Sequence, residues 1–414
     1  MANNKKVPAI RFKGFDEEWE ERKLGEIGEL KNGMNFGKEA MGHGFPFVNL
    51  ENVFGKNIVD ISDLGFAESS DSQRKDYNLV KGDVLFIRSS VKPEGVGEAA
   101  VVTKDLDNTT YSGFIIRFRP TINLSVNFNR FVFTTNSLRK QILSSATSSA
   151  NTNINQNSLQ KIGVSLPLFQ EQIQIGNYFK DLDGLIRLQE QKLEKVSNLK
   201  KAMLEKMFPK ENADVPEIRF KGFAEKWEKK KLGELGQVGD IDHRMPNSTL
   251  EGIPYLMTGD FIGINGLNFS NVKLISHQDY EQISRKIKPE FGDILIARYA
   301  SVGAVRYVNV SSKFLISYSC AILKQSKLVN GKCLFFYLQG HEAQRQIEQE
   351  TNTGSQRNIG IDSLKKLVIS LPTIPEQQKI GQYFQNLDQL ITRSQQKIEQ
   401  LKHLKQALLQ KMFI

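Results

Sequence analysis

The chain has 414 residues, enough for two or three domains with real cores, and its 39% hydrophobic and 25% charged content is that of ordinary globular protein. No apolar run approaches the roughly 18 residues of a membrane span, and the opening stretch MANNKKVPAIRFKGF has no signal-peptide core, so a cytoplasmic protein is expected. The formal net charge of +10 invites an acidic partner, but the excess is spread along the chain without a basic tail, so folded surface would have to meet that partner.

The first element in chain order is also the first sign of duplication. VPAIRFKGFDEEWEERKLGEIGEL over 7–30 returns as VPEIRFKGFAEKWEKKKLGELGQV over 215–238, identical at 16 of 24 positions. The only two tryptophans, Trp19 and Trp227, fall at equivalent places with Phe12, Phe15, Phe220 and Phe223 around them. They read as aromatic anchors that seat the start of each globular domain.

The stretches that follow, roughly 31–165 and 239–370, diverge much more, and both read as α+β with short strands. FPFVNL (45–50) matches IPYLMT (253–258), DVLFIR (83–88) matches DILIAR (293–298), and GFIIRF (113–118) matches FLISYSCAIL (314–323), each bounded by Gly, Asn, Ser or Pro. Helical stretches are expected around 127–145 and 332–349. A strand then precedes each repeat of a long helix, in KIGVSLP and KLVISLP.

The loops of these domains hold the side chains that read nucleic-acid edges. After the first GD strand come Arg88, Ser89, Ser90 and Lys92, and after the second come Arg298 and Tyr299. Before the last strand lie TSSANTNINQNS (147–158), with Asn151, Asn153 and Asn155, and TNTGSQRNIGIDS (351–363), with Gln356, Arg357 and Asn358. Arg paired with guanine and Asn or Gln paired with adenine are the standard major-groove contacts. Polar surface loops are also rich in these residues, so composition alone leaves a plain solvated loop open.

The second repeat is the longer one. LPLFQEQIQIGNYFKDLDGLIRLQEQKLEKVSNLKKAMLEKMF over 166–208 returns as LPTIPEQQKIGQYFQNLDQLITRSQQKIEQLKHLKQALLQKMF over 371–413, identical at 22 of 43 positions. Pro167, Pro372 and Pro375 sit before or within the first turn of a helix, and Glu171 and Glu376 place acid near its positive end. The apolar residues Leu182, Ile186, Leu193, Val196, Leu199, Met203 and Met207 recur three or four apart, as do Leu387, Ile391, Ile398, Leu401, Leu404, Leu408 and Met412. A helix from Gln170 to Phe208 runs about 58 Å at 1.5 Å per residue. Its narrow stripe needs a partner, and its own duplicate, running antiparallel as a coiled coil, is the simplest one.

No chemistry accompanies this frame. There is no Pro-Pro pair, which removes the Asn/Asp-Pro-Pro-aromatic signature of amino-methyltransferases, and no GxGxxG or GxxxxGK[ST] follows a strand. The five histidines, His43, His243, His277, His341 and His403, lack metal-ligand spacing, and Glu190 and Lys192 fall on a helix as a solvated pair. Cys320 and Cys333 lie in one half only, which rules out a repeated disulfide or zinc framework and suits small core residues. No catalytic residue, metal or cofactor is expected. The residues by themselves allow three readings: a nucleic-acid reader, an enzyme acting on nucleic acid alone, and a coiled-coil scaffold or adaptor with no nucleic-acid role.

Two divergent domains, each followed by a helix entered through LPLFQEQ or LPTIPEQ and ending in KAMLEKMF or QALLQKMF, resemble the specificity subunit of Type I restriction-modification enzymes over the whole chain. The resemblance implies target-recognition domains at 1–165 and 211–370, and spacer and docking helices at 166–210 and 371–414. It implies a pseudo-two-fold α+β protein in which each domain reads one half of an asymmetric, interrupted double-stranded DNA target. The half-sites would then lie near one turn of DNA, about 34 Å, apart. It further implies two methyltransferase subunits docked on the paired helices and ATP-dependent restriction subunits joining through the complex, with no catalysis by this chain.

Overall fold

In the computed structural model, residues 7–148, 151–354 and 356–414 are described. Met1–Lys6 of the opening stretch, Ser149 and Ala150 of the first polar loop and Ser355 of the second lie outside the described residues. The chain forms two compact units, one of residues 1–189 with 397–414 and the other of residues 190–396. The dividing line cuts both long helices, so each starts in one unit and finishes in the other.

In the first unit a four-stranded antiparallel sheet runs Gly28–Asn32, Ile115–Pro120, Val84–Ile87 and Ala99–Val101. The second unit repeats that order with Val238–Gly239, Cys320–Leu323, Ile294–Ala297 and Val305–Tyr307. The central strands, VLFI and ILIA, are buried throughout. The Gly-Asp pair before each explains its start: Gly82 (φ +98°) and Gly292 (φ +93°) take the left-handed turn that glycine tolerates best. Buried Asp83 and Asp293 then accept the Val80 and Glu290 amides at 2.9 and 2.7 Å.

A second, three-stranded sheet is also shared. It is Gly65–Ala67, Met41–Val48 and Thr110–Tyr111 in the first unit and Lys273–Ile275, Ile253–Leu256 and Leu315–Ile316 in the second, each with one antiparallel and one parallel pairing. The expected single strand FLISYSCAIL is therefore two strands, 315–316 and 320–323, that serve different sheets. Ser317 and Ser319 interrupt the apolar run where the sheet changes, but no Gly or Pro marks the break. Each expected helical stretch is likewise two helices, Val126–Val132 with Asn136–Ser145 and Gly331–Gln339 with His341–Gln349.

The two sequence repeats meet in each unit. Glu20–Lys23 pairs antiparallel with Gly163–Leu166, and Glu228–Lys231 with Val368–Leu371. Trp19 and Trp227 are buried as expected. Trp19 lies edge-on to Phe128 and Phe413, both at 6.2 Å, and Trp227 lies edge-on to Phe208, also at 6.2 Å. Both cysteines are buried and free, and burial pushes their thiols up.

The long helices are Phe169–Lys206 and Ile374–Met412. In the first unit Leu182 and Ile186 share a core with Leu401, Met412 and Phe413; in the second Met207 and Phe208 share one with Phe384 and Leu387. Within each unit the two segments thus run antiparallel. The expected stripe needs one correction in each copy. Leu199 and Leu404 are 42% and 46% exposed, and the neighbouring Lys200 is 8% exposed. Lys200 meets Asp388 at 2.7 Å and Lys405 meets Asp183 at 2.6 Å, with each ammonium 5.4 Å from a ring, Phe336 and Phe131 respectively. A lysine stem is long enough to pack along the seam while its head finds a carboxylate. No helix among the described residues is long and apolar enough to cross a membrane.

Candidate nucleic-acid interface

The polar loops converge on one backbone frame in each unit. In the first, the Arg88 amide donates to the Phe114 carbonyl at 2.8 Å, and the Arg88 carbonyl accepts the Ile154 amide at 2.9 Å. In the second, the Arg298 amide donates to the Ser319 carbonyl at 2.8 Å, and its carbonyl accepts the Ile359 amide at 3.0 Å. The two separated stretches that the sequence singled out are therefore neighbours in both units. Ser89–Ser90 pairs with Thr152–Asn153, which pairs in turn with Thr147–Ser148. In the second unit the sheet shrinks to single bridges, Tyr299 to Asn358 and Asn352 to Asn358.

Asparagine chemistry shapes the tips. The Asn153 amide group donates to the Asn151 carbonyl at 2.8 Å, and Asn358 donates in the same way to the Gln356 carbonyl at 2.8 Å. This local bonding is a known habit of asparagine, and it fixes both tips alike. Asn151, Gln356 and Lys92 are exposed, and Asn153, Asn358 and Tyr299 are half-buried. Asn155 is exposed and caps the short helix Gln156–Gln160 by accepting the Ser158 amide at 2.9 Å. Its side-chain oxygen is therefore already used. Ser90 accepts the Lys92 amide at 3.2 Å, and Arg357, 53% exposed, is ion-paired with Glu348.

Arg298 departs from the expectation of an exposed loop residue. It is 6% exposed, and its guanidinium donates to the Ile359 carbonyl at 3.0 Å, to the Tyr318 carbonyl at 3.2 Å and to the Asp240 carboxylate. Asp240 also binds Lys286 at 2.7 Å and the His243 ring at 2.9 Å, and that ring stacks on Tyr318 at 4.8 Å. Burial pushes the Asp240 carboxyl up, but the hydrogen bonds of Lys286 and His243 and the charges of Arg298 and Lys286 outweigh it and hold it below the usual carboxylate range. Arg88 is half-buried, and its single side-chain bond among the described residues goes to the Gly113 carbonyl at 3.3 Å.

Sequence reading missed the charged pairs that tie the long helices into each unit. Arg11 and Glu171, Arg219 and Glu376, and the Lys–Asp pairs of the helix seam are all identical between the repeats. Identity at charged positions within two otherwise drifting copies was the available signal.

The family model for the Type I restriction modification DNA specificity domain matches residues 16–198 and again 224–403. A protein of Methanocaldococcus jannaschii provisionally named the MjaX specificity subunit of a type I restriction enzyme is 26% identical over 95% of this chain and 92% of its own length. The EcoKI specificity subunit of Escherichia coli K12 is 28% identical over 44% of this chain and 40% of its own. The crystal structure of a Type I restriction-modification S subunit from M. genitalium aligns at a TM-score of 0.61 with 15% identity, covering 99% of both chains, so the likeness is one of fold. With both domain matches in place over most of its length, the chain belongs to the Type I restriction-modification DNA specificity family.

Proposed function

We propose that this chain is the DNA-recognition subunit of a Type I restriction-modification complex, and that each unit reads one half of an asymmetric, interrupted duplex target. One observation carries the reading. A repeated frame, with matching strands, glycine turns and Arg-to-Ile backbone bonds, holds two loop sets of different composition. Two sibling readers with different loops would select two different half-sites. The paired helices set the distance between those half-sites and dock two modification subunits, and restriction subunits join through that complex. The chain itself carries out no chemical step, and the cytoplasm is where it would meet its DNA.

Methylome sequencing of cells expressing the chain with its modification subunits tests this. Methylation should appear at one bipartite motif, and replacing residues 31–165 by those of a relative should change one half of the motif only. A motif indifferent to that replacement would remove the half-site assignment. A complex with modification subunits in a ratio of one to one at saturation would remove the two-dock reading.

A further inference from the structure

The two sibling arginines hold the same backbone position but have unlike surroundings. Arg88 and Arg298 each follow a central strand, and each bonds through its carbonyl to the isoleucine that follows the loop-tip asparagine. The neighbouring strand places Asn32 opposite Ile116 in the first unit. Its counterpart in the second, Asp240, directly follows Val238–Gly239, which pair with Leu323 and Ile322. Asp240 captures the Arg298 guanidinium. Asn32 does not capture Arg88: among the described residues its Oδ1 is buried without a hydrogen-bond partner, and the Arg88 guanidinium reaches the Gly113 carbonyl alone.

We propose that this single difference divides the labour. Arg298, gripped by Asp240, is a positioning residue that holds the second loop through the Ile359 and Tyr318 carbonyls, whereas Arg88, with the uncharged Asn32 at the register position of Asp240, keeps its donors for a base edge of the first half-site. The inference rests on the DNA-reading function proposed above. A guanidinium committed to a buried carboxylate and two carbonyls has few well-aimed donors left for a guanine. One whose single bond is 3.3 Å long can turn outward at little cost.

The test uses the chain co-purified with its modification subunits and a library of duplexes with randomised half-sites, sequenced after selection, with thermal melting of every variant. Arg88→Ala should flatten one position of the first half-site by about ten- to hundredfold, the range of a lost bidentate base contact. Asn32→Asp should capture Arg88 and flatten that same position, and it should add nothing in a chain already carrying Arg88→Ala. A merely structural effect of the aspartate would persist in that double variant. Asp240→Asn should relax several positions of the second half-site together and leave the first unchanged.

Wild-type profiles for both Arg88→Ala and Asn32→Asp overturn the proposal, and so does a uniform loss of affinity with the profile intact, which marks a phosphate contact. Loss of discrimination at a single second-site position in Asp240→Asn overturns the brace. If the unaltered complex selects no motif at all, it is the underlying DNA-reading function that fails.

Discussion

The Arg11 guanidinium grips the fully buried Glu171 carboxylate with two hydrogen bonds of 2.7 and 2.8 Å. Arg219 and Glu376 repeat the pair with the same two distances. Each ties the opening repeat of its unit to the first turn of a long helix. Arg11→Met strands a buried charge, which costs about 3–5 kcal/mol. Chemical denaturation should show that loss, and Arg11→Met with Glu171→Met should regain part of it; a loss below about 1 kcal/mol would show the pair to be solvent-screened.

Phe413 enters the first unit's core beside Trp19, Phe128 and Phe179, at ring distances of 6.2, 5.4 and 5.8 Å. Phe413→Ala should cost about 3–5 kcal/mol, as removal of a buried aromatic does. The environment of Trp19 should change with it, and tryptophan fluorescence in a Trp227→Phe background reads that change directly.

The seam pair of Lys200 and Asp388 carries a pH dependence. Burial pushes the Asp388 carboxyl up, against the opposing pull of Lys200. A carboxyl whose folded pKa is raised destabilises the fold when ionised, and protonation relieves that cost as pH falls through the folded pKa. Lys200→Met removes the opposing cation, so its destabilisation should be largest near pH 7 and shrink toward pH 4. A deficit that stays constant across that range would place the effect in lost packing of the lysine stem.

In the polar loop over 351–363, Arg357→Ala or Asn358→Ala should alter only the second half-site, and Asn151→Ala or Asn153→Ala in the loop over 147–158 only the first. A base contact contributes about 1–3 kcal/mol of discrimination. Competition against single-base variants of each half-site measures it. Because Arg357 is ion-paired with Glu348, Glu348→Gln should strengthen DNA binding if Arg357 must leave that carboxylate to reach its target.

Four residues inserted in both long helices, within 188–193 and 393–398, add about 6 Å at 1.5 Å per residue. That is close to two base pairs at about 3.4 Å each. Methylome sequencing should return the same two half-sites with an unread gap longer by about two base pairs. Altered bases with the gap intact would show that the helices do not set the spacing.

Much of this was legible in the sequence because duplication prints each structural rule twice. Most of the strands and both long helices fell where repeated patterns placed them. The failures share one cause: short-range pattern cannot see which neighbour a side chain finds. Heptad spacing put Leu199 and Leu404 in the seam, yet lysine stems with carboxylate partners took the place beside them. Composition could not separate Arg88 from Arg298, since the distinguishing Asp240 lies 58 residues away in sequence. The change of sheet at Ser317–Ser319 depends on a tertiary pairing that no Gly or Pro announces.

The division of the chain into residues 190–396 and residues 1–189 with 397–414 also orders its synthesis. The second unit is contiguous, whereas the first waits for Leu401, Met412 and Phe413 to fill its core. At roughly 5–20 residues per second, translating the roughly 200 intervening residues takes about 10–40 s. Over that interval the helix face at Leu182 and Ile186 lacks Leu401 and Met412, and the ring of Trp19 lacks Phe413. The half made first is thus the half finished last, and the nascent first unit is where chaperones would find exposed apolar surface.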